Sequence, residues 1–246
     1  MTSFIRKNIP NTLTCGNLFS GCVAITFALG GNPEWALTWI IIGAIFDFFD
    51  GMSARLLKVS SPIGKELDSL ADDVTFGVAP SCMIFWQLGI VEYPDFLSSM
   101  KVLIPFLAFI MAAFSGLRLA KFNLDKRQTT SFIGLPVPAN ALFWGALIYS
   151  NPDWMNSNFS WITILIMVFI ASWLLISEIP MFALKFKHWG WKGNEIRYSF
   201  IILAAILIAG MGALKAWWLI ILCYFILSLY IDIRKKTPEE KEQPSC

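Results

Sequence analysis

Four aspartates are the residues of this sequence best suited to chemistry. In the stretch FDFFDGMSARLLKVSSPIGKELDSLADD, Asp47 and Asp50 stand three residues apart, and Asp68 and Asp72 stand four apart. Either spacing places both side chains on one face of an α-helix. The connection near Val59–Pro62 is short, so the two helices are expected to pair antiparallel. In such a hairpin Asp50 lies level with Asp68 and Asp47 with Asp72, in two layers about 4.5–6 Å apart at a rise of about 1.5 Å per residue.

Four facing carboxylates in a poorly solvated site disfavour one another unless a cation shares them. All-oxygen donors suit hard divalent ions, Mg2+ or Mn2+. One ion, or two about 3.5–4 Å apart, would fit an arrangement used for displacement at phosphorus. Gly51 and Ala54 keep the aspartate face of the first helix small, so that a helix or a ligand can approach its backbone. Arg55 and Lys58 then bring positive charge suited to a diphosphate. Asp73 points about 100° away from Asp72 and is expected to pair with a nearby base.

The elements that must position these groups are membrane helices. The chain has 246 residues, 57% hydrophobic and 15% charged, against roughly 25% charged in an ordinary soluble domain. A soluble chain of this length has no interior large enough for so much apolar surface, so the solvent is a bilayer. Eight apolar segments follow in order: 13–29, 35–57, 74–91, 102–120, 138–149, 161–184, 198–214 and 216–231. The third is expected to begin earlier, near Gly64, and the fifth is short. Turn chemistry separates them at Gly30–Pro33, Tyr93–Asp95, Gly134–Pro136, Asn151–Asp153 and Gly210–Gly212. With the N-terminus on the cytoplasmic side, 17 of the 19 basic residues fall inside, and only Lys101 and Lys215 fall outside. Such an asymmetry sets orientation, so an all-α polytopic bundle of about eight transmembrane helices, with both termini cytoplasmic, is expected.

Residues 1–10 carry Phe4, Ile5 and Ile9 beside Arg6 and Lys7 and suit a short interfacial amphipathic segment, with no cleavable-leader layout. Residues 11–233 form the membrane domain, and 234–246 a polar tail expected to be disordered. The cysteines at 15, 22, 82 and 223 show no paired spacing and are expected to pack as small apolar residues. His188 has no second histidine in the chain to share a metal. Glu178 with Pro180 is expected to mark a kink with a capped carboxylate.

The array Asp47-x2-Asp50-Gly51-x2-Ala54-Arg55-x8-Gly64-x3-Asp68-x3-Asp72 resembles the signature of the CDP-alcohol phosphotransferases, eight positions in order over 26 residues. The resemblance implies that Asp47, Asp50, Asp68 and Asp72 hold the divalent metals and that Asp72 is also the general base. It implies that Gly51, Ala54 and Arg55 line a CDP pocket, that Ser61 contacts phosphate, and that Asn11 and Thr14, in PNTLT, contact the nucleotide. It also implies a homodimer in the cytoplasmic membrane with its active site facing the cytoplasm.

Within that family, Ile9–Thr14 with Asn17-Leu18, Arg118–Asn123 and Phe132–Ala139 are similar to the phosphatidylserine synthase branch. The run Asp68–Asp72 followed by Phe76–Pro80 is similar to it as well. The substrates implied are CDP-diacylglycerol and L-serine in a lipid membrane, with no nucleic acid. Arg118, Lys121 and Asn123 are the candidates for holding serine, whose carboxylate suits charge-assisted bonds, although basic residues at a cytosolic helix end also serve orientation alone. Other acceptors, glycerol phosphate or inositol phosphate, fit the same chemistry. An ion-coupled transporter with a carboxylate cation site would favour interrupted helices near mid-membrane, whereas these aspartates crowd one hairpin near the cytosolic side. A membrane prenyltransferase would require a second, distant aspartate-rich motif, and the sequence has none.

Overall fold

The computed structural model describes residues 2–59, 61–125, 132–182, 190–191 and 194–239. His188, Trp189, Lys126, Arg127, Lys185, Lys187, Lys192, Lys241 and the chain beyond Glu239 lie outside these residues, as do the side chains of residues 2–7.

The first helix, α1 (Thr2–Leu29), is continuous through Pro10, so the expected boundary at residue 10 is no break in the backbone. It ends at Gly30-Gly31, where Gly31 takes a positive φ of 70°. Asn32 caps α2 (Pro33–Leu57) by accepting from the Trp35 N–H, with Pro33 at the first helical position, where a missing N–H costs nothing. The end of α2 is closed by Lys58 at φ 52°, a left-handed cap usually given to glycine.

Ser61 caps α3 (Pro62–Asp72), its Oγ accepting from Gly64 N. The helix runs on through one π-helical turn, Asp73–Val78, into α4 (Ala79–Ile90). Pro80 has no N–H to give Phe76 and its ring crowds that carbonyl, which favours a widened turn here. A short 3₁₀ turn at Ile104–Ala108 leads into α5 (Phe109–Leu124). After it come β1 (Phe132–Ile133), α6 (Val137–Ser150), α7 (Pro152–Met155), α8 (Ser160–Ile176), β2 (Pro180–Met181), α9 (Glu195–Met211) and α10 (Trp217–Glu239). The two short strands pair antiparallel, Phe132 opposite Met181.

The described residues are thus all-α apart from that two-residue pairing. Three stretches, Asn8–Leu29, Ile104–Leu124 and Trp217–Arg234, are long and apolar enough to cross a membrane. Two expectations are corrected at helix ends. The sixth segment stops at Ile176 instead of 184, because the chain turns extended at Ser177 (ψ 155°) and Pro180 excludes helix from the residue before it. Glu178 therefore follows a helix end and marks no kink. The last helix continues past Ile233 to Glu239, so the tail is helical for its first six residues; Arg234, Lys235 and Lys236 are good helix formers.

Packing places α1 at the centre of the site. It runs along α2 over most of its length and also meets α3, the π turn and α4, whereas α2 and α3 hardly touch. The expected tight hairpin is therefore opened into a gap, with α1 as its floor. One apolar core joins Ala24, Ile40, Phe76, Met83, Trp144 and Val168 from five helices and the π turn; a second, around Leu135, Met181, Phe200, Ile220 and Tyr224, binds α9 and α10 to the strand pair. Among the described cysteines Cys82 alone is buried; Cys15 and Cys22 are exposed on α1, so they are not the packing residues expected.

Candidate active site

The gap between α2 and α3 is an open cavity of about 780 Å³ lined by α1, α2, the connection after α2 and the start of α3. Its lining includes Asn11, Thr14, Gly51, Ala54, Arg55 and Ser61, every residue expected to meet CDP, together with Asp47, Asp50 and Asp68. Carboxylate oxygens of Asp47, Asp50 and Asp68 all lie within 4.8 Å of one another. Such a trio of hard oxygen donors fits a divalent cation, since like charges this close cost free energy unless shared. Asp50 is 6% exposed.

Asp72 stands outside that trio, within electrostatic reach of all three members. Two aspartates of the array, one inside the trio and one outside it, are braced by α1. Thr14 Oγ1 donates to Asp50 Oδ2 at 2.6 Å, and Asn17 Nδ2 donates to Asp72 Oδ1 at 3.0 Å. Thr14 thus lines the cavity but already spends its hydroxyl proton on a carboxylate. In the sequence Asn17 belongs only to the pattern shared with the phosphatidylserine synthase branch. Its signal was a second polar residue three positions after Thr14, on the same helix face within an apolar run.

Glycines shape the cavity in two ways. A Cβ on Gly51 would meet no protein atom within 4 Å, so its bareness opens onto the cavity. A Cβ on Gly64 would lie 2.9 Å from Asn11 Oδ1 and 3.0 Å from Ser61 Oγ, so Gly64 lets α1 approach the capped start of α3. Phe48, Val59, Pro62 and Lys65 also line the wall and were not singled out by spacing. Lys58 is exposed and is not part of the lining.

The three serine candidates separate. Arg118 on α5 is 7% exposed, lies within electrostatic reach of Asp72 and Tyr224, and has its guanidinium 5.8 Å from the Phe122 ring centre. Its Nε finds no hydrogen-bond partner among the described residues. Tyr224, on α10, donates its hydroxyl to the Phe182 carbonyl at 2.9 Å; 106 positions separate it from Arg118, so no local pattern could have joined them. Lys121 is exposed. Asn123 ties α5 to α3, its Nδ2 donating to Ser69 Oγ at 2.7 Å and its carbonyl accepting from Lys65 Nζ at 2.9 Å.

Among the described residues Asp73 has no base partner, which corrects that expectation. It lies against Gly77, Ser115 and Gly116, and its buried Oδ1 is unpartnered among the described residues.

Comparison with known proteins agrees with this geometry. The profile of the CDP-alcohol phosphatidyltransferases matches residues 7–183. The chain is 41% identical over 131 residues to the CDP-diacylglycerol–serine O-phosphatidyltransferase of Bacillus subtilis, covering 53% of this chain and 69% of that one. It is 30% identical over 240 residues to the Mycobacterium tuberculosis protein of the same name, covering 88% and 75%. To that of Helicobacter pylori it is 29% identical over 222 residues, covering 89% of each.

Proposed function

The chain belongs to the CDP-alcohol phosphatidyltransferase family, and from that premise we propose that it transfers the phosphatidyl group of CDP-diacylglycerol to the hydroxyl of L-serine, releasing CMP and forming phosphatidylserine. The observation that carries this reading is the Asp47–Asp50–Asp68 trio on the wall of a cavity that also holds Arg55 and the capped start of α3. A helix N-terminus presents free N–H groups and partial positive charge to an anion, so the diphosphate is placed between Ser61–Lys65 and Arg55. Asn11 and Ala54 border the nucleotide.

Asp47, Asp50 and Asp68, with Asp72 at their edge, would hold one or two Mg2+ or Mn2+ ions. When bound, such an ion neutralises charge on the diphosphate oxygens. The protein's own part is to place the reactants and move one proton. Asp72 accepts the proton of the serine hydroxyl as that oxygen attacks the lipid-side phosphorus. The bond from phosphorus to the CMP oxygen breaks, and Arg55 meets the charge left on CMP. Positioning and preorganised charge supply most of the acceleration in transfers of this kind.

The serine carboxylate is assigned to Arg118, buried beside Asp72, with Lys121 and Asn123 at the rim. A buried guanidinium with an unpartnered Nε is suited to a carboxylate and is otherwise costly to keep. Eight crossings with both termini and the site at the cytoplasmic face are supported by the basic residues: Arg55, Lys58 and Lys65 all sit at the cavity end of the bundle. Assembly as a homodimer in the cytoplasmic membrane completes the proposal.

The test is an acceptor panel. Purified protein is given CDP-diacylglycerol with L-serine, glycerol phosphate or inositol phosphate, and CMP and the lipid product are measured. Phosphatidylserine formed with serine alone is the expected result. A phosphorylated acceptor used in preference would overturn the serine assignment.

A further inference from the structure

We infer that Asn17 is a positioning residue for the reaction, holding the Asp72 carboxylate in its working orientation through the Nδ2–Oδ1 hydrogen bond. The inference rests on the reading of Asp72 as the base.

Asn17 is fully buried on α1, and both its side chain and its backbone carbonyl are engaged by neighbouring elements. Its amide donates to Asp72 Oδ1 at 3.0 Å. Its carbonyl backbone oxygen accepts from Thr75 Oγ1 at 3.0 Å, which fastens α1 to the π turn that follows Asp72. On α2, a Cβ at Gly43 would come within 2.9 Å of Asn17 Oδ1. On α1 itself, a Cβ at Gly21 would approach the Thr75 Cα to 2.8 Å. Glycines at both places let α1, α2 and the π turn close on this one amide.

A buried asparagine kept for packing alone would use both polar atoms. Here the donor goes to the carboxylate, and Oδ1 has no hydrogen-bond partner among the described residues. The consequence for Asp72 is an asymmetric carboxylate. Oδ1 is engaged by a neutral donor and its rotation is blocked, which leaves Oδ2 for the acceptor hydroxyl. This also accounts for Asp72 standing apart from the trio Asp47, Asp50 and Asp68, which does not depend on Asn17.

Asn17→Ala, Asn17→Leu and Gly43→Ala are compared with wild type and Asp72→Asn in the purified full-length enzyme. Turnover with CDP-diacylglycerol and serine is normalised to folded protein, and binding of Mn2+ alone is followed by its paramagnetic resonance. The expected result is a kcat lowered roughly 10- to 100-fold in the Asn17 variants, with the KM for CDP-diacylglycerol and the Mn2+ affinity within about twofold of wild type. Gly43→Ala lowers kcat in the same sense by crowding Thr75 of the π turn and the Asn17 amide together. Should Asn17→Ala fail to fold, Asn17→Leu keeps the bulk while losing the donor without adding charge, and carries the test.

A wild-type kcat in the folded Asn17 variants overturns the inference, and so does a parallel loss of Mn2+ affinity and substrate binding, which would mark a general structural role. Wild-type turnover in Asp72→Asn overturns the base reading itself. An inactive Asp72→Asn beside fully active Asn17 variants overturns only the positioning.

Discussion

Thr14 Oγ1 donates to Asp50 Oδ2 at 2.6 Å across 36 positions of sequence, and both side chains are buried. The same hydroxyl lies 3.0 Å from the Pro10 carbonyl, yet it has one proton to give, and the carboxylate is the nearer and stronger acceptor. Thr14 therefore fixes which Asp50 oxygen faces the other two carboxylates. Replacing Thr14 by Val keeps the shape and removes the donor; a hydrogen bond to a charged group contributes about 1.5–3 kcal/mol. The Mn2+ concentration for half-maximal activity should rise roughly tenfold or more, and Thr14→Ser should stay close to wild type. A titration of activity against Mn2+ checks both.

Removal of divalent cations should abolish CMP release. Chelation of the purified protein leaves three mutually repelling carboxylates within 4.8 Å, and activity is expected to return with Mg2+ or Mn2+. Asn in place of Asp47, Asp50 or Asp68 should each raise the metal requirement by about 10-fold or more. Full activity in chelator would remove the metal from the mechanism.

Arg118 and Lys121 should differ sharply although both are basic residues at the end of one helix. Arg118 is 7% exposed beside Asp72, and a buried charge-assisted contact contributes about 1.5–3 kcal/mol. Arg118→Ala should therefore raise the KM for serine by roughly 10- to 150-fold, with little change in that for CDP-diacylglycerol. Lys121 is exposed, where an ion pair contributes about 0.2–1 kcal/mol, so Lys121→Ala should change the serine KM by less than about fivefold. Steady-state kinetics with each substrate varied in turn separates the two.

Gly64→Ala and Gly51→Ala should fail in different ways. At Gly64 the new methyl would press on Asn11 Oδ1 and Ser61 Oγ at 2.9 and 3.0 Å. The helix start and α1 must then part, and both unfolding temperature and CDP-lipid affinity should fall. At Gly51 the methyl meets no protein atom, so the protein should be no less stable, and only the fit of the substrate suffers. Thermal unfolding in detergent, paired with CDP-lipid binding, makes the comparison.

Much of this protein is written locally. Runs of apolar residues, the Asn32-Pro33 and Ser61-Pro62 caps and the glycines at 31 and 212 place the helices, because a cap or a turn depends on neighbours within a few positions. The sharing of one helix face by Asp47 with Asp50, and by Asp68 with Asp72, likewise follows from helix periodicity. The end of α8 was misread because hydrophobicity continues past Ile176, while the extended Ser177 and Pro180 stop the helix.

Tertiary structure alone decided how those pieces meet. A hairpin rule treats α2 and α3 as touching, but α1 packs under both and the gap between them becomes the cavity. That placement separates Asp72 from the trio, gives Thr14 to Asp50 and Asn17 to Asp72, and buries Arg118 within electrostatic reach of Asp72 and Tyr224. None of these pairs is closer than 36 positions in the chain. Side chains that far apart are joined by helix packing, and no periodicity within one helix encodes which residue of another will face it.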